Sequence, residues 1–420
     1  MTAQNEPSSP PAAAPSSDSG SRLLDELRWR GLFHQVTHEP ELLAHLGQSS
    51  RAAYAGFDPT ADSLTIGNFV PIKLLMHWQR AGHRPIVLLG GGTGLIGDPS
   101  GKSAERQLMT RELVEHNVSA QRRIFERLID FSGATGAQLH NNLDWLGQLS
   151  FIDVLRDVGK HFSVNAMMQR DSVRDRLHNR EQGISYTEFS YMILQAYDFV
   201  HLRRQHGVTV QLGGSDQWGN ILSGCDLIRR FMPEGHNDAF GLTAPLITRA
   251  DGGKFGKSEA GAVWLSPERT SPYAFYQFWL NTDDNDVICY LNVFTFLSRD
   301  EIAELTAAHA KDAGSRPAHR ALARCMTELL HGSAELKLAE AAAQALFSGE
   351  IAALPEATLT EVFASVPTSE HDKTQLATGL PLVELLAQTT LVKSKREARE
   401  FLQSGSVSLN GRKVGPDDKA

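Results

Sequence analysis

Cysteine is scarce in this 420-residue chain: Cys225, Cys289 and Cys325 stand alone. Thiols so far apart fit neither a metal knuckle nor a disulfide framework. They are expected as buried free thiols in a reducing, cytoplasmic compartment. Basic charge is also short, with 41 Lys and Arg against 49 Asp and Glu, a net charge of −8. No general polyanion-binding surface is therefore expected, and any RNA contact needs a local basic patch. No apolar run approaches the ~18 residues of a membrane span. The Pro-, Ala- and Ser-rich stretch 1–21 contains no Lys, no Arg and no apolar centre. That argues against secretory or organellar targeting and for a disordered tail.

What the chain does contain points to an α/β enzyme. Its length suggests two or three domains with ample core. The rest is arranged around Tyr54–Asn68, which reads as strand, turn and helix start. Ala52–Phe57 is strand-like, and Phe69 to Gln79 is apolar at helical spacing through Val70, Leu74, Leu75 and Trp78. Asp58-Pro59-Thr60 is turn chemistry, and Ser63 is the expected N-cap. Thr60, Thr65 and Asn68 then project polar groups near a helix N-terminus, whose free N–H groups and dipole favour phosphate. Gly56 and Gly67 let a flat or charged ligand approach the backbone.

Further signals follow in order. Ser21–Ala44 is expected to be helical. Arg84–Leu89 reads as a buried parallel strand running into the Gly-rich stretch Gly90–Gly101, where Asp98 turns with Pro99 and Ser100 and Lys102 follows. Arg111–Phe131 is an expected helix and Gln138–Asn142 a strand. Asp153–Ala166 and Met167–Arg180 read as helices, and Asn179–Gly183 as a mobile connection. In the helical stretch Tyr186–Asp198, Tyr191, Gln195 and Asp198 fall at i, i+4 and i+7 and share one face. Tyr, Gln and Asp together suit a pocket for a small ligand with an amine and a hydroxyl; a hydrogen-bonded contact between helices is the alternative. The strand Val208–Trp218 breaks at Gly213-Gly214. Asp216 and Gln217 lie past its C-terminal end, where open α/β sheets bind ligands. Leu246–Arg249 is expected as a last short strand. Lys254 and Lys257, three apart in the Gly-rich loop Lys254–Ser258, can close over a polyphosphate.

From Thr270 to Gly349 the chain reads as helical, 350–378 as a linker, and Leu382–Ala387 and Ser394–Ser404 as short helices. Val407–Val414 is a hairpin with an Asn-Gly turn. Between Leu391 and Lys413, the cations Lys393, Lys395, Arg396, Arg399, Arg412 and Lys413 face only Glu397 and Glu400. That local excess is a candidate RNA-backbone patch, with a solvated charged helix as the alternative.

In this order and spacing, Tyr54–Asn68, Gly94–Gly101, Glu188–Asp198, Gln211–Asn220 and Lys254–Ser258 resemble the bacterial-type tyrosyl-tRNA synthetase family, class I aminoacyl-tRNA synthetases. The resemblance implies a Rossmann-like parallel-sheet catalytic domain over 22–249 and a mobile lysine loop over 250–269. A helical anticodon-side domain over 270–349 and an S4-like RNA-binding module over 379–420 would follow. The family adds strands beyond this hairpin, so a shortened module is expected. It further implies ATP-dependent formation of tyrosyl-adenylate, transfer of tyrosine to tRNA(Tyr), and a homodimer. By matching position, Tyr54 and Asp198 would contact the tyrosine hydroxyl, and Asp98, Tyr191 and Gln195 its ammonium. Gly214, Asp216 and Gln217 would hold the adenylate ribose and nearby groups, with Gly56, Asp58 and Gly67 also at the nucleotide. Thr65–Asn68 stands where the family has His-x-Gly-His, and Lys254–Ser258 for its mobile Lys-x-x-Lys-Ser/Thr loop. Lys254, Lys257 and Lys102 would offset charge on the leaving pyrophosphate, beside Ser258 and Thr60. Mg²⁺ would arrive with ATP, with no dedicated protein metal site. Two family histidines are absent. Asn68 keeps an N–H donor, whereas Thr65 is shorter and never charged, so activation is expected to persist with a weaker phosphate grip. A tryptophan-specific relative is disfavoured by Tyr54 with Asp198, and a non-catalytic paralogue by Lys254 and Lys257.

Overall fold

The computed structural model describes residues 19–100, 108–170, 173–174, 183–235, 238–253, 255–258, 261–348, 356, 359–360, 363, 367–377 and 379–419. Lys102, Lys254, the tail to residue 18, the connection 179–182 and most of the 350–378 linker lie outside them. The chain divides into two compact units, one comprising 1–270 and 282–322, the other 271–281 and 323–420. The helical stretch 270–349 is thus shared between units.

The first unit is built on a six-stranded sheet. Its strands are β1 (Gln35–Val36), β2 (Ala52–Phe57), β3 (Arg84–Leu89), β4 (Gln138–Asn141), β5 (Val208–Gly214) and β6 (Phe240–Ala244). Their order is β1-β6-β5-β2-β3-β4. All pairs are parallel except β1 on β6. The chain runs outward from β2 through β3 and β4, then returns to the other side of β2 with β5 and β6. The order therefore reverses between β2 and β5, and the crevice at their C-terminal ends is where such sheets take ligands. Parallel strands are covered on both faces. Accordingly Ala53, Tyr54, Ala55, Ile86, Val87, Val208 and Val210 are all buried.

Several expected elements fall elsewhere. Residues 21–44 form two helices, Ser19–Trp29 and Glu39–Gln48. Gly31, at φ 73°, ends the first. Arg30 is buried there and donates to the carbonyls of Asn292, Thr295 and Leu297. The last strand is Phe240–Ala244, not Leu246–Arg249, because Pro245 carries no N–H to continue a ladder. Gly241 hides that strand from a propensity reading, yet a side chain there would collide with Ile221 Cγ2. Residues 151–168 break into short turns of mixed helix type rather than one helix. Cys225 is buried as expected, but Cys289 is exposed and Cys325 intermediate. No helix among the described residues is long and apolar enough to cross a membrane.

The second unit contains the helix Pro272–Leu280, where Phe275 meets Trp279 and His331 edge-on. A helical stretch running to Ser348 is interrupted at Gly332, φ 85°. Its C-terminal part packs Leu382–Ala387 against Lys395–Gln403 through Leu382, Val383, Leu386, Val392, Ala398 and Leu402. Ser394 caps the second helix by accepting from the Glu397 N–H. The hairpin pairs Ser408–Leu409 with Arg412–Lys413. Asn410 and Gly411 carry φ 50° and 80°, the left-handed pair that a two-residue Asn-Gly turn requires.

Candidate active site

Tyr54 sits in the middle of β2, 1% exposed, its ring 5.3 Å from that of Phe199. Its hydroxyl is buried without a hydrogen-bond partner among the described residues. Such an orphan costs about 1–3 kcal/mol, so a missing partner is the natural reading. The nearest charged influence on it is Asp198: burial first, then that carboxylate, pushes the phenol's pKa up.

Asp198 lies on the helix Tyr186–His206, which Ser185 caps and Gly207 ends at φ 67°. It is 2% exposed and accepts from Trp145 Nε1 at 2.7 Å and Asn142 Nδ2 at 2.9 Å. Burial nevertheless dominates. Helped by the like charge of Asp58 and opposed by those two donors, it raises the carboxyl's pKa from 3.8 to about 7.

From Asn142 the network continues. The same amide reaches Thr93 Oγ1 at 3.0 Å, Thr93 donates to Asp58 Oδ1 at 2.7 Å, and the Tyr191 hydroxyl donates to Asp58 Oδ2 at 2.9 Å. A second chain adjoins it through Gln195 of the same helix. Gln217 Nε2 donates to Asp98 Oδ2 at 2.8 Å, Gln195 Nε2 to Gln217 Oε1 at 3.3 Å, and Asn220 Nδ2 to Gln195 Oε1 at 2.9 Å. Asp98 also accepts from the Ser100 N–H at 2.9 Å, a local turn that fixes its carboxylate. Three carboxylates thus converge, and the donors named for them are all neutral. The pocket favours a cationic group.

The sequence-predicted residues Tyr54, Asp58, Asp98, Tyr191, Gln195, Asp198 and Gln217 are therefore brought together. Asp58 and Gln217, expected at the nucleotide, also join this network: Tyr191 donates to Asp58, and Gln217 donates to Asp98. Asp216 accepts from Gln217 at 3.4 Å and lies in the like-charge field of Asp98, and Gly214 lies against Asp216, where a Cβ would come within 2.6 Å of Oδ1. Sequence reading missed Asn142, Trp145, Thr93 and Asn220. Trp145 and Asn142 stand just past β4, and only that position at a parallel strand's C-terminal end marks them.

The Asp58–Thr60 turn leads from this pocket to the helix start. Thr60 is exposed, and its N–H donates to the Asp58 carbonyl at 2.8 Å. Buried Asn117 and Gln121 clamp the turn, donating to the carbonyls of Pro59 and Ala61. Gly56 has open space where a Cβ would be. Ser63 is not the helix cap: it is buried and accepts from the Ser266 N–H at 3.1 Å. A short 3-10 turn, Ile66–Asn68, precedes the helix Phe69–Arg80 instead. Thr65 donates from both N and Oγ1 to Asn68 Oδ1, at 3.0 and 2.8 Å. With that oxygen engaged, the Asn68 NH₂ is the end left to donate outward, beside exposed Gly67.

The lysine loop runs alongside. The Ile66 N–H donates to Val263 O, Leu265 N–H to Leu64 O, and Val263 N–H to Gly256 O. Lys257–Ser258 pairs with Gly261–Ala262 as a two-stranded hairpin. Gly256, at φ 83°, would place a Cβ 2.8 Å from Ile66 Cγ2. Phe255 stacks on Phe294 with centroids 5.0 Å apart. The loop's base is thus fixed against Thr65–Asn68.

On the second unit, Lys393, Lys395, Arg396, Arg399, Arg412 and Lys413 are all exposed. Lys395 pairs with Glu384 and Arg396 with Glu400, each at 3.0 Å.

Sheet, switch point and lysine loop define a class I synthetase fold, and residues 48–348 match the family of class I tRNA synthetases for tryptophan and tyrosine. Residues 358–419 match the SYY-like C-terminal domain of tyrosine–tRNA ligases. The chain is 51% identical over 393 residues to the tyrosine–tRNA ligase of Geobacillus kaustophilus, covering 93% of this chain and 92% of that one. It is 49% identical over 396 residues to that of Aliivibrio salmonicida, covering 94% and 91%. A truncated mitochondrial tyrosyl-tRNA synthetase of Coccidioides posadasii superposes with a TM-score of 0.66 at 34% identity, covering 76% of this chain and 90% of that one. The protein belongs to the tyrosine–tRNA ligase family.

Proposed function

We propose that the pocket between β2, β5 and the helix Tyr186–His206 binds L-tyrosine, and that the adjoining helix start and lysine loop bind ATP. The protein is an ATP-dependent aminoacyl-tRNA ligase that makes tyrosyl-adenylate and transfers tyrosine to tRNA. The orphaned Tyr54 hydroxyl beside the Asp198 carboxylate carries the tyrosine reading. A substrate phenol entering there donates to Asp198 and meets Tyr54, so one ligand hydroxyl satisfies both. Phenylalanine fills the same volume, leaves the Tyr54 hydroxyl without a partner and adds nothing to the two donors that Asp198 already has. The ammonium goes to Asp98, Tyr191 and Gln195, where the excess of carboxylates supports a cation.

Activation needs no protein nucleophile. The tyrosine carboxylate attacks the α-phosphorus in line, the P–O bond to pyrophosphate breaks, and pyrophosphate leaves with the electron pair. Catalysis is then positioning and charge stabilisation. The Gly67 N–H and the Asn68 side-chain amide face the phosphates, with Thr60 and Thr65 beside them. Lys254, Lys257 and Lys102 oppose the growing charge, with Ser258 in the same loop. Gly56, Gly214 and Asp216 flank the nucleoside. Mg²⁺ accompanies ATP on its own phosphates.

The C-terminal part is read as an S4-like module whose six exposed cations contact the tRNA backbone. Surface pairs such as Lys395 with Glu384 are worth about 0–1 kcal/mol, so they yield readily to phosphate. A homodimer is supported by exposed apolar side chains at Phe151, Ile152, Leu155, Val164 and Met168, more than a solvated face needs. Pyrophosphate exchange driven by tyrosine, with phenylalanine and tryptophan as comparisons, tests the function. Exchange with tyrosine alone is expected, and equal exchange with tryptophan would overturn the reading.

A further inference from the structure

Away from the crevice, three elements of the first unit converge on two histidines. His319 begins the helical stretch that starts at Pro317, His309 lies in the last turn of the helix Arg299–Lys311, and Asp284 sits in the loop before the helix Val287–Phe294. One donor atom of each lies within 4.8 Å of the other two. His319 is fully buried. Its Nε2 is 3.2 Å from Asp284 Oδ1 and 3.1 Å from the Thr282 carbonyl oxygen. The Nδ1 atoms of His319 and His309 are both buried without a hydrogen-bond partner among the described residues. The two rings stand 5.4 Å apart.

We propose that Asp284, His309 and His319 form a binding site for a divalent cation of the zinc class. Two imidazoles and a carboxylate are the donor set that zinc, cobalt and nickel prefer over magnesium or calcium. Ligands about 2.0 Å from a tetrahedral ion lie roughly 3.3 Å from one another. The 3.2 Å between His319 Nε2 and Asp284 already meets that edge. The 4.8 Å limit on the set is closed by His309 and Asp284, one half-buried and one exposed, which turn without disturbing the core. The Thr282 carbonyl or a water completes four ligands. Burial, then the nearby Arg316 guanidinium, lowers the pKa of His319. Arg316 also donates to Thr282 O at 3.2 Å. It is the one cation named here against the ion, and it favours a water over the carbonyl as fourth ligand. A bound ion would clip the 282–286 loop to the two helices that carry His309 and His319. The site shares no residue with the tyrosine or ATP pockets.

The test uses the full chain stripped with a chelator, then titrated with Co²⁺ and Zn²⁺. One equivalent of Co²⁺ is expected to give the visible absorption of a tetrahedral site, displaced by Zn²⁺, and Zn²⁺ is expected to raise the thermal midpoint. His309→Ala and Asp284→Asn should each weaken Co²⁺ binding at least tenfold while leaving tyrosine-dependent exchange unchanged. His319 is too deep to serve as the test residue, whereas these two are accessible, and circular dichroism confirms that their variants fold. No absorption at one equivalent, or absorption that survives in both variants, would overturn the proposal. Either result would leave the three groups a hydrogen-bonded cluster only.

Discussion

Replacing Tyr54 with phenylalanine should move stability and substrate affinity in opposite directions. In the free protein the hydroxyl is buried without a partner, and an unsatisfied buried group of this kind costs about 1–3 kcal/mol. The ring itself keeps its contact with Phe199. Tyr54→Phe should therefore raise the unfolding free energy of the ligand-free protein by up to that amount. Tyrosine, by contrast, loses one hydrogen bond with a net worth of about 0.5–1.5 kcal/mol, a roughly two- to tenfold rise in Kd. Denaturant unfolding without ligand and calorimetric titration with tyrosine measure the two effects separately. Because ligand stabilises only the folded state, saturating tyrosine should narrow or reverse the stability gap between variant and parent. A Tyr54→Phe protein more than about 1 kcal/mol less stable, with unchanged tyrosine affinity, would refute the argument. It would mean that the hydroxyl is bonded in the free protein and does not serve the ligand.

Other outcomes follow from the same geometry. Asp198 holds its proton to about pH 7 in the fold but loses it near 4 when unfolded. Its contribution to stability is therefore present below pH 4 and lost as pH rises toward 7. Tyrosine binding, which uses the ionised carboxylate, should strengthen over pH 6 to 8, and Asp198→Asn should flatten both profiles; a parent profile already flat would contradict this. Gly256→Ala must hold φ 83° and meets Ile66. With left-handed backbone costing about 1–2 kcal/mol, it should slow pyrophosphate exchange while leaving the tyrosine Kd alone, and an equal loss in both would contradict that separation. Thr65→His restores a longer donor beside the phosphates, so exchange should hold or rise and the KM for ATP fall. A slower exchange would contradict the weak-grip reading.

Much of the site was legible because its residues cluster on short segments. Tyr191, Gln195 and Asp198 share a helix face by spacing alone, and Asp58 with Tyr54 spans one strand and its turn. The partners that set their electrostatics were not legible. Asn142 and Trp145 reach Asp198 across more than fifty positions of sequence, and nothing local marks them. Ser63 reads as a helix cap but is spent on Ser266, because the loop after the lysines pairs with Leu64 and Ile66. The strand Phe240–Ala244 escaped notice because Gly241, a poor strand former, is there for close packing with Ile221. Proximity in space decided these cases, where propensity had decided the others.

The most direct test of the tyrosine pocket is the ratio of kcat/KM for tyrosine to that for phenylalanine in pyrophosphate exchange, parent against Asp198→Asn. Hydrogen bonds to a charged group are worth about 1.5–3 kcal/mol, so the variant should lose roughly 10- to 100-fold on tyrosine and little on phenylalanine. A ratio unchanged by the substitution would contradict the claim that this carboxylate grips the phenol.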